Sequence, residues 1–235
     1  MQRSRISFIL AFLCAPACAA VWLGGCKADP GKSDNGLSAQ VSMVQPAVPQ
    51  QAWRPTIVCF GNSLTAGFGT DPGEAYPDAL QDILDNASYP YRVVNAGVSG
   101  NTTKDGLDRI ERVIAQHPQV VVLEFGGNDG LRGLPLEQTQ KNIGSMIYQL
   151  QGSGAKVALA GMTLPPDYGP DYIAKFNAMY PALARQYHVP MLPFLLQGVY
   201  GVAGDMQDDG IHATAKGNKQ VAANVARLIE PMLKH

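Results

Sequence analysis

Val120-Val121-Val122-Leu123 reads as a central strand, and it is one of five short apolar runs alternating with helix-length stretches from residue 56 to residue 233. The others are Thr56 to Phe60, Tyr91 to Asn95, Lys156 to Met162 and Pro190 to Phe194. Between them, Tyr76 to Asn86 places Ala79, Leu80, Ile83 and Leu84 at helical spacing, and Thr103 to Gln116 does the same with Leu107, Ile110, Val113 and Ile114. A third helix is expected from Leu136 to Gln151, stopped by Gly152-Ser153-Gly154. A fourth runs from about Asp171 to Tyr187, interrupted or kinked by Pro181, and a closing helix covers Thr214 to Leu233. Strands that alternate with helices predict a parallel sheet covered on both faces. Right-handed crossovers then give an α/β three-layer sandwich on a five-stranded, flavodoxin-like sheet.

The start of the chain is built differently. Arg3 and Arg5 precede an apolar stretch, Ile6 to Leu23, which Pro16 interrupts and no second hydrophobic span follows. It ends in Leu23-Gly24-Gly25-Cys26, which resembles a bacterial lipobox, whose cysteine is lipidated and becomes the first mature residue. Ala17-Cys18-Ala19 would also suit ordinary signal cleavage. The expected organisation is a lipoprotein-type signal over 1–26, a flexible Gly/Ser/Pro-rich linker over 27–52, and a folded domain over 53–235. As a random coil the linker lets the domain sit about 25–30 Å from a membrane anchor on Cys26. Lys27 stands where an inner-membrane retention signal has aspartate, so the outer membrane is favoured. Three of the four cysteines lie in the signal segment, which leaves Cys59 without an intrachain partner and suited to a buried, apolar role. A net charge of −1 and the lack of a long basic run argue against nucleic acid as a partner.

The strand Thr56 to Phe60 leads into Gly61-Asn62-Ser63-Leu64, which puts a serine at the carboxyl edge of the sheet, where open α/β sheets bind ligands. There is no G-x-S-x-G elbow, P-loop, G-x-G-x-x-G or H-E-x-x-H. Three further blocks follow: Asn95-Ala96-Gly97-Val98-Ser99-Gly100, Gly126-Gly127-Asn128-Asp129 and Asp209-Gly210-Ile211-His212. Singly, each is an ordinary turn sequence. In this order, the four resemble the SGNH (GDSL-type) serine hydrolases. The stretches Gly126 to Gly133 and Met206 to His212, with Leu164-Pro165 and Tyr168-Gly169, are most similar to bacterial periplasmic thioesterase I/lysophospholipase/arylesterase proteins.

The resemblance implies Ser63 as nucleophile, His212 as its base and Asp209 as the acid that orients the imidazole. It implies an oxyanion hole from the Ser63 amide, the Gly100 amide and the Asn128 side chain. His117 and His188 read as solvated connectors, and His235 is terminal. Asn62 departs from the family, which has aspartate there to brace the serine turn. Asparagine keeps an acceptor oxygen and the size but loses the charge.

The implied activity is hydrolysis of carboxylic esters or thioesters, on aryl or acyl esters, lysophospholipids or acyl-CoA, without metal or cofactor. Leu131 and Leu134 in one segment, with Leu164 and Pro165 in another, are expected to wall the substrate pocket. The partners are then a small-molecule or lipid ester and, through Cys26, a membrane facing the periplasm. Two alternatives are a carbohydrate O-deacetylase with the same catalytic set and a non-catalytic lipid-binding lipoprotein.

Overall fold

The computed structural model describes residues 54–235. The expected signal segment 1–26 with Cys26, and the linker 27–52, lie outside the described residues. In chain order the elements are β1 (Thr56–Gly61), α1 (Ser63–Ala66), α2 (Tyr76–Asn86), β2 (Arg92–Gly97), α3 (Thr103–Asp108), α4 (Ile110–Ile114) and β3 (Val120–Glu124). They continue with α5 (Gly127–Leu131), α6 (Leu136–Gly152), β4 (Lys156–Ala160), α7 (Pro170–Tyr187), β5 (Met191–Leu192) and α8 (Ala215–Ile229).

The sheet has the order β2-β1-β3-β4-β5, and every pair is parallel. β1 and β3 are its centre: Val58 pairs with Val94 on one side and Val121 on the other. All residues of both strands are buried, which is why they read as unbroken apolar runs. α2 packs on α8, while α3, α6 and α7 pack together. Right-handed crossovers put these two groups on opposite faces, as a three-layer sandwich requires.

Four details differ from the expected elements. The single helix over Thr103 to Gln116 is two, broken at Arg109 (φ −122°, ψ 9°), whose guanidinium turns inward to the sheet edge. β5 is only two residues long, because Pro190 and Pro193 flank it and neither has an N–H for the ladder. α7 runs through Pro181 without interruption. Two short helices, α1 and α5, follow β1 and β3 directly, and both begin at the carboxyl edge of the sheet.

Candidate active site

Ser63 is the first residue of α1, and Asn62 caps that helix by accepting from the Leu64 N–H at 3.0 Å. With Leu64 and Thr65 buried beneath it, the turn cannot rotate away from the sheet edge. His212 reaches Ser63 from the loop before α8: Nε2 lies 2.8 Å from Oγ. On the other side of the ring, Nδ1 is 2.6 Å from Asp209 Oδ2. Asp209 Oδ1 accepts from the backbone N–H groups of Ile211 (2.9 Å) and His212 (3.0 Å). Burial pushes the Asp209 carboxyl up, but these bonds outweigh it and hold the group below the usual carboxylate range.

The catalytic loop is tied down from outside. Gln207 donates to the carbonyls of Phe68 (2.7 Å) and Ala213 (2.8 Å), and the Phe68 ring packs on the imidazole with centroids 4.7 Å apart. The remaining histidines do not join the site. His117 and His188 are exposed, each in a left-handed backbone conformation, and His235 stacks on Tyr89.

Gly100 has φ +81°, a conformation that favours glycine, and its carbonyl accepts from Arg132 at 2.9 Å. The next carbonyl, Asn101 O, accepts from Asn128 Nδ2 at 2.9 Å. Both ends of this tight turn are therefore pinned to α5 and the residue after it. The Asn128 amide has two N–H groups. One holds Asn101, and the other is left for the cavity that Ser63, Gly100 and Asn128 line together. Asp129, beside it, is buried and takes the N–H and hydroxyl of Thr103 at 2.9 and 2.5 Å, which binds α5 to α3.

The cavity beside Ser63 has a volume of about 290 Å³. Its walls are mainly apolar, including Leu131, Met162, Leu164, Pro165, Phe194 and Tyr200. Three of the four expected wall residues are among them. Leu134 is not: it is exposed, held by its N–H to Asp129 O after α5 has ended, and does not line the cavity. Among the described residues, no cluster of three or more His, Cys, Asp or Glu side chains could hold a metal ion.

Two charged groups under the site were not singled out in the sequence. Arg109 donates to Gly61 O, Ala96 O and Asn101 Oδ1, each at 2.8 Å, with its guanidinium 4.5 Å over the Phe60 ring. It ties the ends of β1 and β2 to the Gly100 turn. Burial lowers its pKa from the ordinary value. Glu124, at the end of β3, is fully buried and accepts from Asn62 N (3.0 Å), Asn62 Nδ2 (2.6 Å) and Thr65 Oγ1 (3.0 Å). A carboxylate that closes an apolar strand is the one signal that could have marked it.

The GDSL-like Lipase/Acylhydrolase family matches residues 59–220. The esterase TesA of Pseudomonas aeruginosa PAO1 is 43% identical over 185 residues, covering 78% of this chain and 92% of that protein. The thioesterase 1/protease 1/lysophospholipase L1 of Escherichia coli K12 is 36% identical over 181 residues, covering 77% and 86%. A crystal structure of TesA superposes with a TM-score of 0.73 at 43% identity, covering 76% of this chain and 99% of that one.

Proposed function

Because this chain belongs to the GDSL-like lipase/acylhydrolase family, we propose that it hydrolyses carboxylic esters and thioesters through an acyl-enzyme on Ser63. The observation that carries the reading is one continuous line, Asp209 to His212 to Ser63, with contacts of 2.6 and 2.8 Å, that opens on an apolar cavity.

The chemistry follows from the atoms in that line. With Nδ1–H donated to Asp209, the imidazole carries its lone pair on Nε2 and accepts the Ser63 proton as Oγ attacks the acyl carbon. The charge that develops on the acyl oxygen is met by N–H groups of Ser63, Gly100 and Asn128. The imidazolium returns its proton to the leaving oxygen or sulfur. Water then repeats the sequence and releases the acid, regenerating Ser63. The acyl chain lies against Leu131, Leu164 and Pro165 throughout.

The protein acts in the bacterial cell envelope, on lysophospholipids or exogenous esters, anchored by a lipid on Cys26 and facing the periplasm. The lipobox-like Leu23-Gly24-Gly25-Cys26 supports this placement, and the scarcity of acyl-CoA in that compartment then favours lysophospholipids and exogenous esters as substrates. An apolar cavity of about 290 Å³ favours longer acyl groups over acetyl, and so favours this reading over a carbohydrate deacetylase.

A chain-length series of p-nitrophenyl esters, run on wild type beside Ser63→Ala, tests the proposal. Medium or long esters should be preferred, and Ser63→Ala should lose at least about three orders of magnitude in kcat while remaining folded. Acetyl preference would move the assignment to a deacetylase. Comparable turnover by Ser63→Ala would end the serine-hydrolase reading.

A further inference from the structure

We propose that Glu124 is a positioning residue for the nucleophile: as a carboxylate it dictates which way the Asn62 amide faces, and through Asn62 it sets the Ser63 turn. The proposal rests on the reading of Ser63 as nucleophile.

Three donors reach Glu124, and all come from the segment 62–65 that carries Ser63: the Asn62 backbone N–H, the Asn62 Nδ2–H and the Thr65 hydroxyl. Behind Thr65, the Tyr76 hydroxyl lies 3.3 Å from Oγ1, so the hydrogen bonds can all run toward the carboxylate. With Nδ2 held by Glu124, Asn62 Oδ1 faces the Leu64 N–H at 3.0 Å and lies 3.5 Å from Ser63 Oγ. Turning the amide over would set two oxygens against each other at Glu124 and two N–H donors against each other at Leu64. Above about pH 7, where it is ionised, the carboxylate accepts and cannot donate, so it allows one orientation.

The backbone has been fitted around this group. Gly61 has ordinary backbone angles, yet a Cβ there would lie 2.1 Å from Thr65 Oγ1 and 2.4 Å from Glu124 Oε2. The glycine before Asn62-Ser63 makes room for the buried acid. All three donors to the carboxylate are neutral, and burial pushes its pKa up to about 7 in spite of the bonds from Asn62 and Thr65. The nearby ionisable groups are Cys59 on β1, Tyr76 on α2, Tyr180 on α7 and Asp129 on α5. Cys59 and both tyrosines are held neutral by burial, and Asp129 is engaged by Thr103. Arg109 is committed to Gly61 O, Ala96 O and Asn101.

Asparagine at 62 is matched to this arrangement. Aspartate there would set two carboxylates 2.6 Å apart, and the pair could persist only by sharing a proton. Glutamine at 124 beside Asn62 would oppose two amide donors. Making both changes together reverses the pair: the new amide nitrogen at position 124 would donate to the new carboxylate at position 62. The amide oxygen at 124 would still accept from the backbone and Thr65.

The test compares wild type, Asn62→Asp, Glu124→Gln and the double variant for kcat and KM on p-nitrophenyl butyrate, from about pH 6 to about pH 9. The rate of inactivation by a fluorophosphonate is followed in parallel, with the adduct located by mass spectrometry. Glu124→Gln should lower kcat and the inactivation rate about tenfold or more at unchanged KM. The double variant should recover to within about threefold of wild type. Asn62→Asp should acquire an alkaline fall in kcat/KM that wild type lacks, as the shared proton is lost. The proposal is overturned by wild-type kcat and inactivation rate in Glu124→Gln, or by a double variant no faster than Glu124→Gln. It is also overturned by a wild-type pH profile in Asn62→Asp, which decides the matter if Glu124→Gln does not fold. An adduct on a residue other than Ser63 would instead sink the nucleophile reading, whatever Glu124 does.

Discussion

Asp209 holds His212 twice: Oδ1 accepts the histidine's backbone N–H at 3.0 Å, and Oδ2 faces its Nδ1 at 2.6 Å. One oxygen builds the turn and the other sets the tautomer, so the two jobs cannot be separated by rotating the carboxylate.

That division makes Asp209→Asn worse than a loss of charge. The Ile211 and His212 N–H groups both need an acceptor at the Oδ1 position, so the new amide must turn its NH₂ toward the ring. The imidazole then carries its proton on Nε2 and cannot accept from Ser63. Turnover should fall by about three orders of magnitude or more, with KM little changed, and Asp209→Ala should be no slower. Steady-state kinetics on the two variants decides it, and a higher kcat for Asn than for Ala would contradict the tautomer argument.

Glu124 should write its titration into stability. Its folded-state pKa of about 7 lies above the ordinary 4.5, so between these values the folded chain holds a proton that the unfolded chain has released. The contribution favours folding most below about pH 4.5, declines as pH rises through the window, and levels off above about pH 7, for a total of about 3 kcal/mol. Urea unfolding at pH 5 and pH 8 should show that decline in wild type and lose it in Glu124→Gln. Equal slopes in both proteins would mean that this carboxyl does not titrate there.

Chain-length preference should answer to Leu131 and ignore Leu134. Leu131→Trp narrows the cavity and should move the preferred p-nitrophenyl ester to shorter chains, lowering kcat/KM for long ones about tenfold. Leu134→Ala removes an exposed side chain outside the cavity and should change the series less than about twofold. A shift caused by Leu134→Ala would show that acyl chains leave the cavity over that loop.

Anchoring is tested by Cys26→Ser. In a bacterial host the change should turn a membrane-associated protein into a soluble or unprocessed one, with the ester kinetics of the domain unchanged. Wild-type protein recovered with a free amino terminus at Ala20 or Val21 would show ordinary signal cleavage instead.

The sheet was legible because its strands are contiguous runs. The site residues could be read because each sits in one of four short blocks whose order resembles a known family, although Ser63 and His212 stand 149 positions apart. Strands buried on both faces appear as apolar runs, and the groups at their carboxyl ends follow within a few positions, as Ser63 follows β1 and Asn128 follows β3. The supporting shell was not legible, because its members meet only in space and none lies in a local motif that marks it. Arg109 lies 48 positions from the Gly61 carbonyl that it binds, and Glu124 lies 62 from Asn62. The helices α1 and α5 span four and five residues, too short to display a period of 3.6. The break between α3 and α4 was hidden for a related reason: Ile110 and Val113 keep the apolar rhythm across it, although Arg109 has left the helix.

The Arg109 fork makes the spacing between nucleophile and oxyanion turn a property of the sheet edge. Gly61 stands two residues before Ser63, Asn101 stands one after Gly100, and a single rigid, planar group holds both. The lining supplied by the 164–165 segment and the stretch after β5 makes none of these bonds. Substitutions there can reshape what the enzyme accepts without retuning how it reacts. For a lineage adapting to new esters, the reactive geometry is inherited as a fixed part, and selection is free to work on the walls.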